Sequence, residues 1–341
     1  MKISFLVTFY NQAEYVDQCL NSIKNIDLPD DYEIIVGDDG STDGTLEKID
    51  SWKSKFGDHL LLIKNSREDG IKDHVMRASN MRKKLLAESK GEYFCVVDGD
   101  DYYCNKTFVK KAINILEANQ NVSTMMFDFQ KVTNEKDDIQ KYTLNEVEGN
   151  LKNSIYVRNY YMHVGGCVFR RYSKQITEDL LSAPYYDDTD IILYNLNFGN
   201  LDYCKLCVYC YRQTGHGLWT GISRSVQGLL NLVGCDNEIL LSPKYKEEII
   251  YRYRTDILYC YLRIGFEDYY YGNAVYRKYL SISKRMLNGI SPIILDYNNV
   301  SFDEKKSLET IILHIKEVDN NTYSRIVSNV GKEINIHVKI L

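Results

Sequence analysis

Prolines are scarce in this sequence: four in 341 residues. A proline-rich tether between domains is thereby excluded. Gly/Ser-rich linkers, internal repeats and low-complexity tracts are missing too. No apolar run approaches the roughly 20 residues that a helix needs to cross a bilayer. Basic residues are not in excess: 42 Lys and Arg stand against 47 Asp and Glu, for a net charge of −5. A nucleic-acid partner is therefore not expected, because such binders carry a basic footprint. Nine cysteines are present, without the spacing of a disulfide framework.

What is present suits a soluble protein with ample core. Hydrophobic residues make up 44% and charged residues 26%. The length suggests one large domain with an appendage, or two domains. The opening stretch "KISFLVTFYN" has neither the length nor the cleavage site of a signal peptide, so a cytoplasmic location is expected.

The first third alternates strand and helix. "ISFLVTF", "YEIIVGD", "HLLLIKN" and "EYFCVVD" read as strands. Between and after them, "AEYVDQCLNSI", "STDGTLEKIDSWKSKF", "HVMRASNMRKKLLAES" and "KTFVKKAINILEAN" show helical spacing, with Asn11 expected to cap the first. Such units imply a mostly parallel sheet covered on both faces. Residues 122–212 are less regular, with strands at "VSTMMFDFQKV" and "GGCVFRR" and a helix at "DTDIILYNLNF". From 221 the pattern is mainly helical and rich in Tyr and Arg, and the final "EINIHVKIL" alternates like a one-sided strand. Cys204, Cys207 and Cys210 in "CKLCVYC" could suggest a metal or iron–sulfur site. Strand formers around them favour small buried side chains on a strand, with Cys207 facing away from Cys204.

Chemistry concentrates where strands end. The first ends in "TFYN", the second in "GDDGSTDGT", the fourth in "DGDD". Any one of these could be a simple turn. In an open parallel sheet, however, strand C-termini form the ligand crevice, and three polar clusters there are unlikely to coincide by chance. Asp98, Asp100 and Asp101 repel one another when empty. A hard divalent cation, Mn²⁺ or Mg²⁺, bridging them to a diphosphate reverses that. Gly99 allows a tight turn between them.

"SFLVTFYNQAEYVDQCLNSI", "YEIIVGDDGSTDGT" and "KGEYFCVVDGDDYY", in this order and spacing, resemble a family 2 glycosyltransferase of the bacterial surface-polysaccharide type, over roughly residues 1 to 215. The resemblance implies a GT-A fold: α/β, Rossmann-like, with a mostly parallel central sheet and helices on both faces. It implies a catalytic domain over 1–220, with 1–101 as donor half and 102–220 as acceptor half. A mainly helical subdomain, ending in a short strand, would fill 221–341. A nucleotide-sugar donor, with UDP favoured, would meet Thr8, Tyr10, Asn11, Asp39, Asp98 and Gly99. Tyr10 would pack on the base and Asp39 would hydrogen-bond it. Asp100 would bind the metal, with Asp98 on metal or ribose. His216 would be a further ligand or merely an exposed loop histidine. Asp101 reads as a companion acid or as a helix cap.

By the same likeness an inverting transferase takes its base from an acidic pair at a helix start. Here "PYYDDTDIILY" supplies Asp188 as base with Asp187 next to it, though plain capping by either is the alternative, and Asp190 is an outsider. "HVGGCVFRR" would flank the acceptor, with Gly165 and Gly166 letting substrate approach and His163 either touching a sugar or simply packed in the core. Trp219 could stack on a sugar ring, and Arg212 could pair with phosphate or with Asp187. The family's Ala-Arg-Asn segment is altered to "MRASNMRKK"; Lys72, Arg77 and Arg82 are candidate phosphate contacts, or simply a solvated helix face.

The expected acceptor is a glycan or lipid-linked glycan. The helical tail either docks at the inner face of the membrane as a peripheral association or serves packing and homo-oligomerisation. Three rivals stand beside this reading. A sugar nucleotidyltransferase wants a Gly-rich basic loop after the first strand, and "TFYNQAEY" has none. An aspartyl phosphatase wants its acid pair there. A silent glycan-binding scaffold would have lost its acids.

Overall fold

The computed structural model describes residues 1–68, 70, 71, 73–133, 139–214 and 224–253. The chain divides into two compact units, Met1–Gly221 with Leu240–Ser242, and Ile222–Ile239 with Pro243–Leu341. In chain order the elements are β1 (Ile3–Phe9), α1 (Val16–Lys24), β2 (Tyr32–Asp38), α2 (Thr45–Phe56), β3 (Leu60–Lys64), α3 (His74–Glu88) and β4 (Tyr93–Asp98). Then follow β5 (Tyr102–Tyr103), α4 (Phe108–Ala118), β6 (Val122–Thr133), β7 (Ile139–Tyr142), β8 (Gly149–Leu151) and α5 (Asn153–Asn159). The described chain finishes with β9 (Cys167–Arg170), α6 (Glu178–Ser182), α7 (Asp188–Asn195), β10 (Asn200–Gln213), α8 (Arg224–Leu241) and α9 (Lys246–Arg252).

Among the described residues one ten-stranded sheet runs in the order β3-β2-β1-β4-β9-β6-β10-β5, with β7 on β6 and β8 on β10. The first four strands are parallel, as expected from their alternation with helices. Beyond β4 the sheet is mixed: β9 runs antiparallel to both its neighbours, and β6 and β10 are parallel. β1 and β4 are apolar along nearly their whole length, as strands covered on both faces must be. α1 buries Val16, Cys19, Leu20 and Ile23, a single stripe at helical spacing.

Register positions the site. Thr8 pairs with Gly37 on one side and Asp98 on the other, and Phe9 pairs with Asp38. The ends of β1, β2 and β4 therefore lie side by side. Asn11 does not cap α1, whose N-cap is Tyr15. It adopts a left-handed φ of 49° and accepts from the Thr42 amide at 2.8 Å, while its own amide donates to Ser41 Oγ. It thus ties the first polar loop to the second.

In β10, register shifts between Cys204 and Cys207, and again between Cys207 and Tyr209, break the simple alternation assumed for "CKLCVYC". Cys204 and Cys210 are buried and Cys207 half-buried. In the second unit, buried Glu238 on α8 meets Arg252 on α9 and Tyr253. No described helix is long and apolar enough to cross a membrane. The expected helices beyond 253 and the terminal strand lie outside the described residues.

Candidate active site

The Asp98–Asp101 loop leaves β4 and meets three elements at once. Asp98 is held by Arg82 of α3, Nη2 to Oδ1 at 2.7 Å, and more weakly by the Thr8 hydroxyl at 3.4 Å. Burial opposes ionisation of Asp98, yet Arg82 and His163, with the Thr8 hydroxyl, together outweigh it and hold the carboxyl below its usual range. Asp100 has no such clamp. Burial, then the charge of Asp98, push its carboxyl up to about 6. Asp101 is buried completely; burial and its two neighbours push it well above the ordinary range. It caps no helix, since α4 starts from Thr107. Instead its Oδ1 accepts from the Arg212 amide at 2.7 Å. The Arg212 guanidinium donates to the Asp100 carbonyl at 2.8 Å and lies over Tyr15 and Tyr102, so β10 braces this loop.

α7 brings the second acid group. Asp187 is its N-cap and forms a reciprocal capping box with Asp190. Capping thus occupies Asp187 and leaves the Asp188 carboxyl to face inward. Asp188 Oδ1 lies 3.5 Å from Arg82 Nη2, and Oδ2 lies 3.3 Å from His163 Nε2. Burial raises the Asp188 carboxyl and Asp98 adds to it, while His163 and Arg82 limit the rise. Ahead of α7, buried Lys83 donates to the carbonyls of Leu181 and Ala183 at 3.1 and 2.9 Å. A helix-α3 cation thus anchors the segment that leads into Asp188.

Ligand atoms of Asp98, His163 and Asp188 lie within 4.8 Å of one another, close enough to surround a cation. Arg82 already stands between the two carboxylates, however. Asp100 is the acid whose raised carboxyl would gain most from a metal, because a bound cation relieves both burial and repulsion. The residues therefore fit a divalent ion at Asp100, with Asp98 alongside.

At the other end of the crevice, Asp39 is gripped by Arg77 (Nε to Oδ2 2.8 Å, Nη2 to Oδ1 2.9 Å) and by Arg67 (Nη2 to Oδ2 3.0 Å). The Arg67 guanidinium lies 3.3 Å over the centre of the exposed Tyr10 ring. An aromatic face and a carboxylate side by side suit a planar base bearing an N–H donor.

Residues 4–181 match the family model described as "Glycosyl transferase family 2". The chain belongs to glycosyl transferase family 2. It is 31% identical over 126 residues to the poly(ribitol-phosphate) beta-glucosyltransferase of Bacillus spizizenii, covering 37% of this chain and 19% of that protein. Over 102 residues it is 32% identical to the abequosyltransferase of Salmonella typhimurium, covering 30% of this chain and 28% of that protein. The chain thus spans about a fifth of the length of the first curated relatives it matches. The crystal structure of Staphylococcus aureus TarS 1-349 in complex with UDP-GlcNAc superposes with a TM-score of 0.55 at 18% identity, covering 84% of this chain and 81% of that one. The likeness identifies the fold as GT-A.

Several residues of this family 2 chain stand differently from expectation. His163 is 2% exposed, in keeping with the packed histidine of its two readings. Gly165 and Gly166 are buried as well. A Cβ at Gly165 would lie 2.1 Å from the Tyr209 ring, and one at Gly166 would lie 2.9 Å from the Phe127 carbonyl. Their smallness serves packing rather than substrate approach. Gly99 likewise makes room for Phe9, whose ring would be 2.1 Å from a Cβ there. Arg212 meets Asp101 and the Asp100 carbonyl rather than Asp187. Arg77 and Arg82 are buried, not a solvated helix face. Lys72, His216 and Trp219 lie outside the described residues.

The roles of Arg67 and Lys83 have no counterpart in the sequence reading. One signal was available for α3: Arg77, Met81 and Leu85 fall four apart on its buried stripe, and Arg82 precedes Leu85 and Leu86 at the same helical spacing.

Proposed function

We propose that this chain is an inverting, metal-dependent glycosyltransferase. It moves a sugar from a nucleoside-diphosphate sugar, with UDP favoured, to a hydroxyl of a glycan or lipid-linked glycan in bacterial surface-polysaccharide synthesis. The observation that carries the reading is the half-buried Asp188 carboxylate, free of capping and set across Arg82 from Asp98.

Residues 1–101 hold the donor and 102–220 the acceptor. Tyr10 offers a face to the base and Asp39 an acceptor to its N–H, while Thr8 and Asn11 line the same crevice. Asp188 takes the proton of the acceptor hydroxyl. The freed oxygen attacks the anomeric carbon from the side opposite the diphosphate, the bond to the diphosphate breaks, and its electron pair leaves on the nucleotide. Configuration inverts because attack and departure lie on opposite faces. A raised carboxyl is a stronger base than an ordinary one. A divalent cation held by Asp100 and Asp98 would supply positive charge for the departing diphosphate. Similarity to poly(ribitol-phosphate) transferases and to a TarS structure with UDP-GlcNAc supports a UDP-sugar and a surface-glycan acceptor. A cytoplasmic location, at the inner face of the membrane, suits that acceptor.

The test is a thermal-shift panel of UDP, GDP, CDP and UDP-GlcNAc, with and without Mn²⁺, on wild type, Asp100→Ala and Asp188→Asn. A ligand that binds the native state raises Tm by mass action. UDP should stabilise wild type and Asp188→Asn only with Mn²⁺, and Asp100→Ala should lose the effect. Absence of any shift at millimolar nucleotide would remove the donor-site reading and favour a silent scaffold.

A further inference from the structure

We propose that His163 is a positioning residue for the base: its imidazole, fixed as the neutral Nε2–H tautomer, donates to Asp188 and sets the plane of that carboxylate. The inference rests on Asp188 being the base, as proposed above.

The tautomer follows from the hydrogen bond at Nδ1 and from the groups that face Nε2. The Gly165 amide donates to Nδ1 at 3.2 Å. A nitrogen that accepts an N–H carries no proton, so the ring proton sits on Nε2. Nε2 is the atom that faces acids: 3.3 Å from Asp188 Oδ2 and 3.8 Å from Asp101 Oδ2. The shorter distance makes Asp188 the nearer acid. Its other oxygen, Oδ1, faces Arg82. Each oxygen of Asp188 therefore faces a nitrogen at ion-pair distance, 3.3 Å for His163 and 3.5 Å for Arg82, and contacts on both oxygens limit the carboxylate rotation that one alone would allow.

The ring itself cannot rotate easily. Tyr209 stacks on it with centroids 5.1 Å apart and planes at 24°, Tyr211 lies 4.5 Å away, and Phe129 packs at 5.8 Å. Tyr209 reaches this position because Gly165 has no side chain in the way. One glycine thus does two jobs: its amide selects the tautomer, and its missing Cβ admits the clamping ring. The assignment also removes His163 from the candidate cation group, since a protonated ring nitrogen has no lone pair for a metal.

The first arm of the test is long-range ¹H–¹⁵N NMR on the protein labelled with [¹⁵N]histidine, with His163→Gln identifying the signal. The expected result is an unprotonated Nδ1 and a protonated Nε2, unchanged by added Mg²⁺. A protonated Nδ1, or an Nε2 that loses its proton on adding Mg²⁺, overturns the proposal.

The second arm follows UDP release from UDP-GlcNAc. His163→Asn keeps an acceptor for the Gly165 amide but cannot reach Asp188, and His163→Phe keeps only the stack. Both should lose about 10²-fold in kcat with KM unchanged, the scale of a misplaced reacting group. His163→Gln can reproduce the Nε2 donor and should recover most of that loss. Equal losses in Gln and Asn variants, or a loss confined to KM, overturn the proposal. If wild type releases no UDP, the donor reading above fails instead, and the NMR result alone decides the His163 assignment.

Discussion

Arg82 places Nη2 2.7 Å from Asp98 Oδ1, and the same atom lies 3.5 Å from Asp188 Oδ1. One guanidinium on α3 therefore joins the strand-end acids to the acid that opens α7. The three residues come from three separate elements, and removing Arg82 leaves two acids facing each other without this cation.

Replacing Arg82 by Met should accordingly destabilise the fold by about 3–5 kcal/mol, the range for removing one partner of a buried ion pair. Arg82→Lys should recover part of it, because it restores the positive charge but not the planar guanidinium geometry. Urea denaturation measures both. Wild-type midpoints for Arg82→Met would show that the bridge contributes nothing.

Asp100 provides a pH test without metal. Its folded carboxyl stands at about 6, above the ordinary 3.8. Between those values the folded state binds more protons than the unfolded one, so this group's contribution favours folding at low pH and is lost as pH rises through 6. Asp100→Asn should match wild type near pH 4 and exceed it by about 1–3 kcal/mol at pH 7. Chemical denaturation across that range reads the difference. A gap that stays constant with pH would mean Asp100 titrates normally.

Arg67 covers the Tyr10 face and occupies one oxygen of Asp39. A base that stacks on Tyr10 has to displace it. Arg67→Ala should therefore bind UDP about two- to fivefold more tightly, equivalent to the 0.5–1 kcal/mol of an exposed cation–π contact. Isothermal titration measures it. Weaker binding would mean that Arg67 moves over the base and holds it.

Gly165→Ala should cost about 1–3 kcal/mol, because the added methyl drives into the Tyr209 ring and the core cannot yield freely. A thermal melt of the variant checks this. A melting point equal to wild type would mean that Tyr209 moves aside without penalty.

Much of the donor half was legible because its signals are local. The strands "ISFLVTF" and "YEIIVGD" were delimited to the residue, since a central parallel strand is a continuous apolar run and the acids after it stop it abruptly. That three polar clusters share one edge followed from strand–helix alternation alone, and the register of Thr8 with Gly37 and Asp98 agrees. The mixed half was harder to read. β9 is four residues long and reverses direction between β4 and β6, and no periodicity in the chain records which neighbour a short strand will choose.

The sequence by itself determined the chemistry available: acids at strand ends, an acid pair before an apolar helix, and glycines beside an aromatic-rich strand. Only the tertiary structure decided how each was used. Capping took Asp187 and left Asp188, because a helix start needs one acceptor for its free amides. Burial turned Arg77 and Arg82 from apparent surface charges into the partners of Asp39 and Asp98. It also placed His163 in the core, with Nε2 3.3 Å from Asp188. The physical reason is common to all of these. A charged or polar group removed from water must find a partner, and that partner is set by three-dimensional proximity across tens of residues, which spacing along the chain does not encode.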